Sequence, residues 1–461
     1  MNDLTRRRIT LAGSVVGAVL VALDGTVLTV AQPALQDDLD ASLTQVQWTS
    51  TGYLIAVASL LVFAGRLGDR YGHTRLFGYG MLGFAAASAG IGVAPDIRWV
   101  IALRVLQGVC GALLQPATLG MLRAAYAADS LGTPIALRTS AIGVAAAAGP
   151  LVGGVLTAHL GWRSVFFLGV LPAVAIAVLV LAVRDRAPVT GTRAVGLDPG
   201  GALLLAAALG CLVAALAALP GAGWSAGTVL LAAGAGTVAV AFVVHERRVP
   251  DPLLSPALLA SPAVAPALGI LLTASAALFG TLFVATYFLQ DVLGLDPLGT
   301  ALHMLPAALC MVLAAPLTPV LLRRFGSRAT TSAGMLLLAA GVFGFGRLDT
   351  SATQLAIGAC AFAMGTGFGT VMVAATESLV RRAALGTAGV AGGLQQTAMN
   401  VGPTLGVATA TTLLAGGADF VASMGVTLTA LAILLLIACA AAVRLPAEAK
   451  QGTTRARTQT P

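Results

Sequence analysis

The chain has 461 residues, of which 58% are hydrophobic and only 10% charged, and its mean hydropathy is +0.93. Soluble globular chains carry about a quarter charged residues, so this composition excludes one, and it excludes disorder for the same reason. What remains is an integral membrane protein. A net charge of +8 suggests a nucleic-acid partner only until the basic residues are placed along the chain.

Of the basic residues only Lys450 is a lysine, and Ala, Gly and Arg dominate, the bias of a high-GC bacterial genome. Cys110, Cys211, Cys310, Cys360 and Cys439 lie in apolar stretches without CxxC spacing. They read as small buried hydrophobes, and neither a disulfide framework nor a metal site is expected. Arg6, Arg7 and Arg8 precede an apolar run in the manner of a signal peptide, but Asp24 interrupts that run and many spans follow. The segment reads as a retained first span.

A spanning helix needs roughly 20 mostly apolar residues to cross about 30 Å of hydrocarbon. In chain order, 9–30 is apolar apart from Asp24, followed by charge-free 41–65 and 76–95 and by 99–122, broken only by Arg104. Next come 139–162 and 164–183, and then 199–245, which Leu219-Pro220-Gly221-Ala222-Gly223 divides as a turn would. The run continues through 252–290, 297–322, 329–346, 350–376, 383–418 and 420–443. The sequence thus predicts an all-α membrane protein with fourteen transmembrane helices.

The arginines test that count. With the N-terminus inside, Arg98, Arg163 and Arg347 fall outside and Arg104 within a span, while all other basic residues, Arg138 among them, fall inside. The outer loops near 37–40, 291–296 and 419 carry aspartates instead. This is the positive-inside pattern of a multi-pass protein of the bacterial cell (inner) membrane with both termini cytoplasmic, and it removes the nucleic-acid reading. Trp48, Trp99, Trp162 and Trp224 fall at outer span entrances, where an amphipathic indole belongs.

The basic loop Gly65–Arg75 and the later loop Arg323-Arg324-Phe325-Gly326-Ser327-Arg328 lie at nearly equal offsets from the starts of spans 1 and 9. This predicts a six-span bundle over 1–183, an inserted two-span hairpin with its linkers over 184–262, a second six-span bundle over 263–445, and a disordered cytoplasmic tail over 446–461. Paired bundles around a central cavity are an arrangement that transporters use for alternating access.

A charge in hydrocarbon costs ~2.5–3.5 kcal/mol on insertion scales, so Asp24 and Arg104 each require a reason. Counting about 1.5 Å per residue from opposite ends of their spans places both about 8–9 Å below the outer surface. One reading is proton coupling, in which the carboxylate pKa rises on desolvation and falls as Arg104 approaches. A static pair that sets helix packing is the plainer reading. In a third, Asp24 binds a cationic substrate.

In Gly65-Arg66-Leu67-Gly68-Asp69-Arg70-Tyr71-Gly72-His73-Thr74-Arg75, glycines permit a tight turn and close backbone approach. Asp69 is placed to accept from a helix N-terminus and to attract Arg70 or Arg75. This segment resembles the signature loop between spans 2 and 3 of the major facilitator superfamily. The resemblance implies a conformational latch at Gly65, Gly68, Asp69, Arg70, Gly72 and Arg75. Leu23-Asp24-Gly25-Thr26-Val27 through Gln32-Pro33 is similar to the span 1 motif of its fourteen-span drug/proton antiporter branch, and Leu103-Arg104-Val105-Leu106-Gln107-Gly108 to the span 4 motif. There the arginine is implicated in proton transfer.

Gly143 followed by Gly149-Pro150-Leu151-Val152-Gly153-Gly154 resembles the motif associated with antiporters of this superfamily. Its local sense is close helix packing at the glycines and a bend at Pro150. Tyr287-Phe288-Leu289-Gln290 with Gly294, and Leu394-Gln395-Gln396 through Asn400, match stretches of spans 9 and 13 of the branch. The resemblance runs from Leu4 to about Leu445. Departures are Thr29 where Asn is common, His73-Thr74 in place of a basic pair, and a second loop at 323–328 without Asp.

Polar and aromatic side chains in spans, Tyr53, Gln107, Gln115, Tyr287, Gln290, Gln396 and Asn400, are candidates for a substrate cavity or for ties between helices. His303 reads as structural and Glu377, beside Arg381 and Arg382, as a solvated helix end. The resemblance implies a monomeric, proton-coupled exporter of hydrophobic, cationic or zwitterionic drugs in the lipid bilayer. It needs no cofactor and is driven by the proton gradient. A dedicated exporter of one self-made antibiotic or metabolite is the alternative, and a receptor or scaffold a remote one. An enzyme is not expected. There is no GxxxxGK[ST] loop and no HExxH, and the four histidines lie far apart.

Overall fold

The computed structural model describes residues 3–182, 197–250, 252–254, 264–295, 297–382, 387–414 and 419–442, and these form helices with no strand among them. The tail 446–461 and the linker arginines Arg184, Arg186 and Arg193 lie outside the described residues.

The helices are α1 (Asp3–Asp38), α2 (Leu43–Tyr71), α3 (His73–Gly92), α4 (Ile97–Ala125), α5 (Gly132–Leu160), α6 (Arg163–Phe167) and α7 (Val170–Leu181). There follow α8 (Pro199–Ala222), α9 (Ala226–Glu246), α10 (Val264–Tyr287), α11 (Pro297–Phe345), α12 (Gln354–Arg382), α13 (Ala388–Leu414) and α14 (Phe420–Ala442). Polar residues at the interruptions start the next helix. Ser42 and Gln45 form a capping box on α2, Asp96 caps α4, and Asp198 and Ser225 cap α8 and α9. The run Gly223-Trp224-Ser225-Ala226-Gly227 has the GxSxG spacing of a nucleophile elbow, yet the Ser225 hydroxyl accepts the Thr228 amide as a helix cap.

Each stretch read as a span contains helix among its described residues. Ten of these helices are long and apolar enough to cross a membrane unaided, or eleven with the bent α5, so that measure does not reproduce fourteen. One physical reason is that α11 holds two expected spans joined through Gly326, whose φ of 81° breaks the helical path. Another is that α13 dilutes its apolar run with Gln395, Gln396 and Asn400. α5 bends by 44° between Gly132–Ala146 and Leu151–Leu160, across Pro150.

Apolar packing gathers the helices locally. Leu20, Tyr53, Phe77, Met81, Phe84 and Ile176 share one cluster of α1–α4 and α7, and Ile270, Phe288, Met335, Phe345, Met364 and Leu431 share another of α10–α12 and α14. α13 packs on α2 and α4, and α5 on α11 and α12, so the two sets of helices meet along these faces. α8 and α9 pack on each other, with α8 against α2 and α13. Leu171, Leu203, Leu230 and Leu355 remain exposed, as side chains facing hydrocarbon do. Trp48, Trp99 and Trp224 are also exposed. Trp162 departs from the expected belt: it is buried, and its indole donates to Asp38 Oδ2 at 3.0 Å.

Candidate functional site

α1 and α4 bring Asp24 and Arg104 into direct contact, with Arg104 Nη1 2.6 Å from Asp24 Oδ2. Equal depth on adjacent helices, read from the sequence, becomes a bond. Gln107, one turn along α4, joins both: its Oε1 accepts from Arg104 Nη1 at 2.6 Å and its Nε2 donates to Asp24 Oδ1 at 3.0 Å. The same Nε2 also reaches Ser88 Oγ of α3 at 2.7 Å.

Arg104 Nε donates to the Thr49 carbonyl of α2 at 3.0 Å, and the guanidinium lies 4.3 Å from the Tyr53 ring centroid. Arg104 is 1% exposed and the Asp24 side chain 10%, so the pair is held by neighbours rather than by bulk water. Gly108 permits this closeness, since a methyl group there would sit 2.7 Å from the Tyr53 carbonyl. Four helices therefore converge on one carboxylate and one guanidinium.

The remaining expected cavity residues separate. Gln396 of α13 donates to Gln115 Oε1 of α4, a bond across the meeting face. Asn400 bonds back to the Gln396 carbonyl at 2.8 Å. Tyr287 is exposed and packs on Phe283, and Gln290 sits in the π-turn Phe288–Val292; among the described residues neither bonds to the Gln115–Gln396 pair. His303 bonds to the Gly299 carbonyl of its own helix at 2.7 Å. The glycines of α5 serve close packing. Gly149 faces Thr26, Gly153 faces the Val27 backbone, Gly154 faces Val30, and Gly143 faces Met311 and Val312.

At the other end of α2 the loop glycines meet α13. Asp69 Oδ1 accepts the Gly389 amide at 2.8 Å and Oδ2 the Val390 amide at 3.1 Å, so a carboxylate on α2 caps the N-terminus of α13. Gly65 and Gly389 touch backbone to backbone, with no room for a Cβ on either. Gly72 turns the chain into α3 with φ 97°. The side chain beside Asp69 differs from the expected arginines. That neighbour is the His73 ring, whose Nε2 lies 3.2 Å from Asp69 Oδ1, whereas Arg70 lies over Tyr71 and Arg75 is exposed. His73 fills the space that Gly68 and Gly120 leave open.

Three features escape sequence reasoning. Glu377 is buried instead of solvated: it sits against Gly132 at the start of α5 and 4.0 Å from Arg381, in a cavity of about 190 Å³. Asp198, at the base of the inserted hairpin, holds His245 at 2.9 Å. Burial alone would raise the Asp198 carboxyl, but the Gly201 amide and the His245 ring draw it below the usual carboxylate range. Beside it, Glu246 accepts the amides of Leu253 and Leu254, and Leu253 packs with Val62 of α2 and Val390 of α13. Only the adjacency of His245 and Glu246, and the Asp-Pro start of α8, signalled this cluster in the sequence.

The all-helical fold agrees with the comparisons. The chain matches the Major Facilitator Superfamily over residues 15–407, and it belongs to that family. It is 38% identical over 412 residues to the tetracenomycin C resistance and export protein of Streptomyces glaucescens, covering 88% of this chain and 76% of that one. It is 30% identical over 431 residues to the methylenomycin A resistance protein of Streptomyces coelicolor, covering 93% and 90%. Among solved structures, the human organic anion transporter MFSD10 superposes with a TM-score of 0.66 at 14% identity, over 96% of this chain and all of that one. The proton:xylose symporter XylE gives 0.63 at 14%, over 95% of each. Likeness at that identity speaks to fold alone. Within the superfamily the chain stands among drug efflux transporters and is a multi-pass membrane protein.

Proposed function

We propose that the chain is a proton-coupled antiporter that exports hydrophobic, antibiotic-like small molecules by alternating access. The supporting observation is the Asp24–Arg104–Gln107 network, a carboxylate whose charge is balanced by groups on a second helix. Protonating Asp24 releases Arg104 and Gln107, and the freed guanidinium then favours a different packing of α1 against α4. The α2–α13 joint, closed by Asp69, supplies the second position of the switch. In this reading both ends of the chain face the cytoplasm of a bacterium, and the protein works as a monomer without a cofactor.

Fourteen spans are proposed as six, two and six, with bundles over 1–183 and 263–445, an inserted hairpin over 184–262 and a tail over 446–461. Here Asp24 and Arg104 carry the coupling, the 65–75 loop latches, and the glycines of α5 act as a close-packed pivot.

The test uses inside-out vesicles with an acid interior, a panel of dyes and antibiotics, and a pH-sensitive fluorophore. Substrate-dependent proton release, lost in Asp24→Asn, is the expected result. Release that persists in the variant moves coupling elsewhere. A second reading, export of a single antibiotic, is favoured by relatives at 38% and 30% identity that are each named for one compound. A panel with one responder supports it.

A further inference from the structure

Among the described residues the two largest fully buried side chains are both arginines, Arg104 and Arg138, and their surroundings differ. Arg104 has Asp24, Gln107, the Thr49 carbonyl and the Tyr53 ring. Arg138, which the sequence assigns to a cytoplasmic segment, is 1% exposed and sits six residues into α5, about 9 Å along the axis from Gly132. Its Nε and Nη1 are buried without a hydrogen-bond partner, and among the described residues it forms no ion pair. Glu377, beside the start of α5, is 4.0 Å from Arg381.

The neighbourhood comes from both ends of the chain. Leu131, Ile135 and Ala136 of this part of α5 pack with Leu119 and Leu122 of α4, Ala315 of α11, and Val373 and Val380 of α12. Just beyond, the Ser140 hydroxyl donates to the Val312 carbonyl at 3.0 Å. Arg138 is therefore enclosed where the two sets of helices meet, a seam that alternating access has to open. A guanidinium does not deprotonate in proteins, so it cannot escape the burden of burial by losing its charge. An apolar side chain of similar volume would pack there at less expense. A charge retained without a partner in the closed seam needs that partner in another state.

We propose that Arg138 is the anion-recognition residue of the inner half of the export path. The exported molecules then carry a carboxylate or phenolate on a hydrophobic body. This rests on the export reading above and adds the sign of the substrate's charge to it. When the seam opens, Arg138 presents a planar fork of donors that matches a carboxylate two bonds at a time. When it closes over the bound anion, the pair sits in an apolar shell where its attraction is strong. In the alternative where Asp24 itself binds a cationic substrate, that carboxylate would first have to leave Arg104 and Gln107.

The test uses the full-length chain in nanodiscs of neutral phosphatidylcholine, which removes anionic headgroups as a source of the ligand. Three probes of one shape are compared, pyrene-butyrate, pyrene-butanol and pyrene-butylamine, by energy transfer from tryptophan. Wild type is expected to bind the butyrate about tenfold tighter than the alcohol, the yield of one charge-assisted contact. Arg138→Gln and Arg138→Met lose that preference, and Arg138→Lys keeps part of it. Asp349→Asn, at an exposed acid outside the coupling network, keeps it in full, and because no gradient is used the result is separate from any failure of proton coupling.

Thermal unfolding supplies the second readout. Both neutral variants melt at or above the wild-type temperature, and pyrene-butyrate raises the midpoint of wild type alone. Equal binding of butyrate and alcohol by wild type overturns the proposal, as does a preference that survives in Arg138→Gln. Neutral variants that melt well below wild type overturn it too, because they would show the guanidinium to be satisfied where it stands.

Discussion

Asp69 and Gly389 stand 320 positions apart in the chain and 2.8 Å apart in space, carboxylate oxygen to amide nitrogen. The last turn of α2 thus supplies the N-cap of α13, a task that usually falls to the residue just before a helix. Its second oxygen takes the next amide, Val390, so one side chain satisfies two of the donors that a helix start leaves open. Asp69→Asn keeps the shape and removes the charge. The joint is expected to weaken by ~1–2 kcal/mol, shifting the population toward the state with α2 and α13 apart. Distances between spin labels on the two helices measure that shift.

Gly65→Ala is expected to act more strongly than Asp69→Asn. A methyl group at Gly65 meets the carbonyl of Gly389, and neither backbone can turn aside as a side chain would. The same labels should report the separated state as dominant. A closed population equal to wild type would show that the contact is slack.

Arg104→Lys is not conservative at this site. Lysine reaches Asp24 as a point charge but cannot also supply the fork that binds Thr49 and Gln107. Arg104→Gln goes further and leaves a buried carboxylate without its cation, at a cost of ~3–5 kcal/mol unless Asp24 takes a proton. Transport in Arg104→Gln should therefore lose its dependence on the pH gradient, and flux measured with and without an uncoupler checks this. Tyr53→Phe keeps the ring over Arg104 and removes a buried hydroxyl that has no hydrogen-bond partner, so stability should be unchanged or slightly raised.

The C-terminal end of α1 carries a pH-dependent clasp. Trp162 and Arg163 both donate to Asp38 and hold its carboxyl below the ordinary value of 3.8. A depressed acid stabilises the folded state at pH above its unfolded value and loses that contribution as the pH falls through the folded one. Acidification below about 3.8 should therefore release Trp162, seen as a change in its fluorescence, and Asp38→Asn should abolish that step.

Much of this was legible along the chain. Apolar runs located the long helices among the described residues, because a bilayer imposes a length and an apolar composition. Asp24 and Arg104 were legible as a pair, since depth along two spans can be counted. Gln107 was legible as polar but not as the bridge between them, because its orientation depends on how α1, α3 and α4 rotate against one another. The partner of Asp69 was hidden for a related reason. The small residues Ala388-Gly389-Val390 mark a close approach without saying what approaches. Arg138 was legible as a positive charge near a span end but not as a buried one, because burial depends on the packing around it.

The contact between Gly65 and Gly389 is made of main chain, which every residue shares and no substitution can refine. Selection can grade the strength of an ion pair or the fit of a methyl group in small steps. A joint of bare backbone offers no such gradation: it is kept whole or given up. Adjustment has to come from its surroundings, from His73 beside Asp69 and from Leu253 pressed on Val62 and Val390. Related chains should therefore vary around this joint while the two glycines stay fixed.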